Sequence, residues 1–444
     1  MRPITRILAP LAALCLLSSC ALGEVFKGAS KAPDDTKEGR ISLLTLDQKL
    51  KADPGLRGAL QLPPPHAQPD WRQPGGTPDN APGSIEGSAE PTIAWRAKIG
   101  EGDTTLTRLA APPVIADGKL FVFAGQQTIK ALDAREGRVL WSTRMRSGNP
   151  RDKIAQGGGV AYDDGRVFAT SGFGLVVALD AETGEQIWRV ETAAPFSAAP
   201  AAVNGRVFAT TNDSELLALD AATGNVLWND QAIAEPARVL AAPSPAVTSD
   251  AVIAPFASGE LVAFAPANGR RLWSDALSRS GRLTALSSIN DVAGRPAVAG
   301  GAVYAASHAG VFAAIDQRSG QRVWENTVAS TQTPYVVGDA LFVLTSDAEV
   351  IAFDRVDGRV YWITPLKRFE NASSRKGRIA WTGPILFGGR LVAASSTGTV
   401  AFLDPVEGSI ERTLKLNEPI YVPPVAADGT LYLLSNSGRL IALR

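Results

Sequence analysis

The segment Ala178-Leu179-Asp180-Ala181-Glu182-Thr183-Gly184-Glu185-Gln186-Ile187-Trp188 reads as an apolar strand, a tight turn and a second strand. The Asp180 carboxylate can accept backbone N–H bonds from the turn that follows it, and Gly184 supplies the positive φ that a type I turn with a bulge requires. Alternation then puts Ile187 on one face of an outer strand, and Trp188, ending that strand, can wedge a large ring between adjacent sheets. The pattern returns at 131–141, 218–228, 263–273, 314–324 and 352–362, with a degenerate copy at 402–412 that ends on Arg412. Ahead of each copy stand a further apolar strand, a Gly- or Asp-bearing turn and another strand, as in Pro113-Val114-Ile115-Ala116-Asp117-Gly118-Lys119-Leu120-Phe121-Val122-Phe123. One unit is therefore four strands joined by short turns, and a run of such units at a fixed period is the signature of a β-propeller.

Outer strands end at Trp141, Trp188, Trp228, Trp273, Trp324, Trp362 and Arg412, which gives seven units. Three more strands follow, at 421–425, 431–435 and 439–443, and the chain stops without an outer one. Thr92-Ile93-Ala94-Trp95-Arg96 has the outer-strand pattern without strands before it. It can complete the last sheet and remove the open edges of an unclosed array. The expectation is an all-β chain: an eight-bladed β-propeller of four-stranded antiparallel blades over 92–444, its ring closed by the N-terminal strand.

Composition narrows the function. Lys plus Arg and Asp plus Glu are 44 each, so the formal charge is zero and the basic excess that phosphate contacts need is missing. Nucleic acid is not an expected partner. The two cysteines, Cys15 and Cys20, precede the repeats, so the folded part has no disulfide, thiolate metal site or Cys nucleophile. Only His66 and His308 are present; His66 falls in a proline-rich stretch and His308 in an inner hairpin turn, both read as solvent-facing. Neither has a second His with which to bind a metal, so no metal site and no catalytic residue is expected.

Arg2 and Arg6 followed by an apolar run to Leu17 form the charged start and short hydrophobic core of a secretory signal. Leu17-Ser18-Ser19-Cys20 resembles the lipobox of bacterial lipoproteins, which implies a signal peptide over 1–19 and lipidation of Cys20, against the alternative of an ordinary signal peptide. Ala21 after it favours the outer membrane. Residues 20–91 lack a sustained core pattern, and eight prolines between 63 and 91 favour extended backbone, so this stretch reads as a tether. Within it the more apolar Arg40-Ile41-Ser42-Leu43-Leu44 with Leu46, Leu50 and Leu56, and then Asp70-Trp71, are expected either to form a short helix or to lie against the folded domain.

The repeat Ala-x-Asp-x-x-Thr-Gly-x-x-x-Trp, complete at 178–188 and 218–228, resembles that of pyrroloquinoline-quinone propellers. Together with the lipobox, the tether, the closing strand and Asp70-Trp71-Arg72-Gln73-Pro74-Gly75-Gly76, the chain resembles the BamB family of propeller lipoproteins, where a Trp-x-Gln-x-Gly-Gly precedes the first blade. That resemblance implies a non-catalytic scaffold without cofactor, on the periplasmic face of the outer membrane. It would bind POTRA domains of the barrel-inserting subunit BamA, alongside other assembly-complex lipoproteins, and assist delivery of unfolded outer-membrane proteins. In the family, loops leading into two middle blades make the contact; the corresponding positions are Arg238, Val239 and Leu240, then Ser288, Ile289, Asn290 and Asp291. The match is partial, since Ser288 and Asn290 stand where carboxylates are expected. The alternative is a pyrroloquinoline-quinone-dependent dehydrogenase, against which stands the lack of a vicinal Cys pair and of a calcium-type acidic run.

Overall fold

The computed structural model describes residues 50–56, 58–104, 108–149, 154–232, 243–278 and 292–444. Eight four-stranded antiparallel sheets follow one another along the chain. Blades 1 to 7 span 114–144, 158–191, 201–231, 246–276, 297–326, 335–365 and 381–415. Blade 8 takes Val425–Ala427, Thr430–Leu434 and Arg439–Leu443, with Ile93–Lys98 as its outer strand. Ile93 pairs with Leu443 and Lys98 with Arg439, and beyond them Thr92 and Arg444 exchange backbone bonds of 2.7 and 2.9 Å. The first and last strands thus seal the ring.

The repeat residues do what their chemistry suggested. Asp180 Oδ1 accepts the N–H groups of Glu182 and Thr183 at 2.9 and 2.8 Å, Gly184 has φ +73°, and the pairing shifts register between Ala178 and Leu179. Trp188, however, lies in the middle of Gln186–Glu191 rather than at its end. Trp141, Trp188, Trp228, Trp273, Trp324 and Trp362 each donate Nε1–H to a turn carbonyl of the next blade at 2.8–3.1 Å. The acceptor is the residue after the turn aspartate, Ala181 in the case of Trp141, except for Trp228, whose acceptor Pro266 follows Ala265. Within its own blade each ring also meets an aromatic of the second strand where one is present, as Phe168 meets Trp188 with ring centroids 5.9 Å apart. A buried N–H is satisfied and a large apolar ring is removed from water at one stroke, so the seam between blades gains both terms.

Two expectations shift. The first strand of blade 8 is Val425–Ala427, not 421–425, because Pro423 and Pro424 have no N–H to give a ladder and Tyr421 is exposed. A two-stranded hairpin, Phe369–Asn371 with Lys376–Arg378, projects from the connection into blade 7 and has no counterpart in the repeat.

Residues 50–91, read from their prolines as tether, lie against the ring. Gln68 to Ile85 make a circuit through every blade in order. Gln68 O accepts from Asp428 N of blade 8, and Trp71 exchanges two backbone bonds with Ile115 of blade 1. Arg72 O accepts from Tyr162 N of blade 2, while the Gln73 amide bridges Tyr162 O and Ala202 O of blades 2 and 3 at 3.1 and 2.6 Å and accepts Ala202 N at 3.0 Å. Pro78 O and Asp79 O accept from Val247 of blade 4 and Val298 of blade 5. Gly83 O accepts the Tyr335 hydroxyl of blade 6 at 2.7 Å, and Ile85 pairs with Leu386 and Gly388 of blade 7. Leu56, Leu60, Trp71 and Ile85 are buried. An irregular segment can occupy the centre of a propeller only if its polar backbone is matched, and here the inner strands match it.

Candidate functional site

A blade has an even number of antiparallel strands, so the chain leaves each blade at the rim where it reaches the next one. The described ends of the connections into blades 4 and 5, at 232 and 243–245 and at 277–278 and 292–296, therefore fall on one rim. Arg238, Val239, Leu240, Ser288, Ile289, Asn290 and Asp291 fall within these two loops and, like Cys20, lie outside the described residues. The described ends of both loops are anchored. Ala232 N donates to Ser214 O and Leu277 N to Gly259 O, each at 2.8 Å, and Ala232, Leu277 and Val292 are buried.

Two paired arginines bind the outer strands around these loops. Arg271 of blade 4 grips Asp230 of blade 3 through Nε at 3.0 and 3.1 Å and donates to Gln231 O at 2.8 Å. One blade on, Arg322 grips Asp275 at 2.8 and 3.0 Å and donates to Ala276 O at 2.6 Å. The hydrogen bonds that they donate to Asp230 and Asp275 raise both guanidinium pKa values above their ordinary range. Asp230 and Asp275 are therefore neutralised by neighbours and do not form a free carboxylate pair.

The outer strands offer a different surface. Each is paired on one side only, and Leu140, Ile187, Val226, Leu227, Val323 and Ile410 are exposed along them. An open strand edge with apolar side chains is a template on which an extended chain can add.

The histidines separate. His66 is exposed, its Nε2 3.2 Å from Gln68 Oε1. His308 is half-buried, its Nδ1 buried without a hydrogen-bond partner beside the fully buried Ser307, so it faces solvent only in part. Among the described residues no three His, Cys, Asp or Glu side chains come together in a way that could hold a metal ion.

Sequence reasoning missed the task of Gln73 and the setting of Arg295. The Gln73 side chain is buried and joins two blades. Arg295, just before the inner strand of blade 5, is buried in the channel wall. Only the Trp-x-Gln-x-Gly-Gly spacing hinted at the first, and no pattern announced the second.

A family model described as outer membrane protein assembly factor BamB matches residues 88–147 and 125–364. BamB of Marinobacter adhaerens is 30% identical over 162 residues, 35% of this chain and 38% of that protein. BamB of Escherichia coli is 26% identical over 168 residues, 38% of this chain and 41% of that protein. The chain thus spans about two fifths of the length of the curated relatives it matches. Among solved structures, BamB from Moraxella catarrhalis superposes with TM-score 0.68 and 20% identity over 80% of this chain and 100% of its own. A europium-containing methanol dehydrogenase does so with TM-score 0.64 and 14% identity over 83% and 89%. At these identities both likenesses speak to the fold alone. The family model covers more than half of the chain, and on that match, with the eight closed blades in place, the protein belongs to the family of outer membrane protein assembly factor BamB.

Proposed function

We propose that this protein is a non-catalytic scaffold of outer-membrane protein assembly, held at the periplasmic face of the outer membrane by lipid on Cys20. The observation that carries the reading is the family match across 88–364, a span that includes both lead-in loops at blades 4 and 5. In this reading those loops, with Arg238, Val239, Leu240 and Ser288, Ile289, Asn290 and Asp291, dock a POTRA domain of a BamA-like subunit, and other assembly-complex lipoproteins gather around it. Loops on a rigid ring are suited to this, because the ring sets their spacing and the partner need order only the loops. Unfolded barrel clients would add to the open outer strands, where backbone bonds give affinity without demanding one sequence. A non-catalytic role is supported by the tasks that the aspartates and tryptophans already perform in turns and seams.

Co-purification tests the proposal. The full chain, tagged at its C-terminus and extracted with its membrane in mild detergent, is expected to bring down a POTRA-bearing outer-membrane protein. Recovery of the lipid-anchored chain without any barrel-assembly component would reject the assembly role. Dye-linked alcohol oxidation by the purified protein supplied with pyrroloquinoline quinone and calcium would replace it with the enzymatic one.

A further inference from the structure

The channel holds a cavity of about 470 Å³ on the far side of the segment that threads the blades, lined among others by Asp103, Arg108, Arg295, Gln332, Tyr421 and Asn436. That volume suits a small ligand. Arg295 is 7% exposed, and its Nε is fully buried with no partner. Its guanidinium makes no hydrogen bond or ion pair with any described residue, and burial pushes its pKa down to about 10, so it remains charged at neutral pH. A buried, unpaired cation is among the most costly features a fold can keep, and it invites an anion.

The backbone around Arg295 is fixed. Val292 and Ala293 before it are buried, and Pro296 O after it accepts the Asn80 amide at 2.9 Å, so the threading segment clamps the position from below. A second buried atom in the same cavity is unmatched. Asn436 gives its Nδ2–H to Asp103, but its Oδ1 has no donor. Asp103 itself is occupied, accepting Leu109 N at 2.6 Å, and burial raises its pKa. Among the described residues, the charged groups lining the cavity are two arginines and one aspartate, an excess of one positive charge.

From this set we infer that the channel cavity binds a carboxylate ligand, whose oxygens meet the Arg295 guanidinium and whose own N–H or O–H group meets Asn436 Oδ1. One excess positive charge matches a monoanionic carboxylate rather than a phosphate dianion, and the planar guanidinium fork fits a carboxylate with two parallel bonds. The source is either a free small hydroxy acid or the α-carboxylate at the end of a polypeptide that reaches into the channel.

Calorimetric titration of the detergent-solubilised full chain separates these outcomes. The probes are glycolate, acetyl-trialanine as the free acid and the same peptide as its amide, all at matched ionic strength in sodium chloride. The inference expects saturable binding of at least one free acid below about 10 mM. Arg295→Met should weaken that binding by about tenfold or more, and Arg295→Lys should retain part of it. Circular dichroism checks that each variant is folded; should Arg295→Met fail to fold, Asn436→Asp, which sets a second negative charge beside the ligand, must weaken binding in its place. Glycolate binding alone identifies a free small acid, and binding of the peptide acid but not its amide identifies a chain terminus. Absence of saturable binding, equal affinity of Arg295→Met, or the same signal from chloride alone overturns the inference.

Discussion

The indole of Trp95 lies on Gly137, so close that a Cβ there would stand 2.7 Å from the ring. Trp95 belongs to the strand contributed by the N-terminal side and Gly137 to the third-to-fourth turn of blade 1, so this contact is the seam where the ring closes. It repeats the fit of Trp141 on Gly184, with one change: the turn carbonyl that would accept the indole, Ala134 O, is taken by the Tyr432 hydroxyl at 3.0 Å. Trp95→Ala is expected to destabilise the propeller by about 3 kcal/mol in urea unfolding, as loss of a large packed ring does. A loss under about 1 kcal/mol would mean that the seam is held by strand pairing alone.

The buried Gln73 side chain hydrogen-bonds blades 2 and 3 at once. Gln73→Leu keeps the volume but leaves Ala202 N without its partner in a buried setting, which is expected to cost about 2 kcal/mol. Amide exchange at Ala202 should accelerate with it. Unchanged exchange there would show that the threading segment is not fastened at blade 3.

How much of this was legible in the sequence depended on repetition. Asp180, Gly184 and Trp188 recur in several copies and so declared turn, positive φ and seam, even though Trp188 sits mid-strand. The degenerate copy at Arg412 also has a reason. The blade it faces has no turn between its third and fourth strands, since one ends at Leu443 and the other begins at Ile93, and Arg412 donates instead to Pro91 O at 3.3 Å. Features that occur once were hidden. Prolines between 63 and 91 looked like a free leash because a segment that bonds to eight different inner strands needs no periodicity of its own. The hairpin 369–378 and the buried Arg295 are single insertions into a repeating plan, and the candidate docking residues rest on family likeness without a geometric check.

Glu418 predicts a pH dependence. Burial pushes its carboxyl up, but hydrogen bonds from Ser437, Ser435 and Arg439 outweigh that and hold the pKa below the ordinary carboxylate value. A carboxyl lowered in the folded state contributes stability above its unfolded pKa and loses it as pH falls through the folded one. Between pH 7 and about pH 3 the wild type should therefore lose more thermal stability than Glu418→Gln, with the two converging at the acid end. A constant gap across that range would remove Glu418 from the acid response.

The Arg271–Asp230 clasp is a lesser term. Arg271 is 44% and Asp230 23% exposed, so solvent screens the pair. A double-mutant cycle is expected to give a coupling of about 0.5 kcal/mol, shrinking further in molar salt. A coupling several times larger, unmoved by salt, would make the clasp rather than the tryptophans the main tie between blades 3 and 4.

Site-specific photocrosslinking in cells addresses the scaffold claim most directly, with the crosslinker placed in turn at positions 238–240 and 288–291 and, as controls, at the exposed turn positions 165 and 205 of the opposite rim. The account predicts adducts with a POTRA-bearing outer-membrane subunit from the first two sets and none from the controls. Adducts from 165 and 205, with silence from both loops, would contradict it.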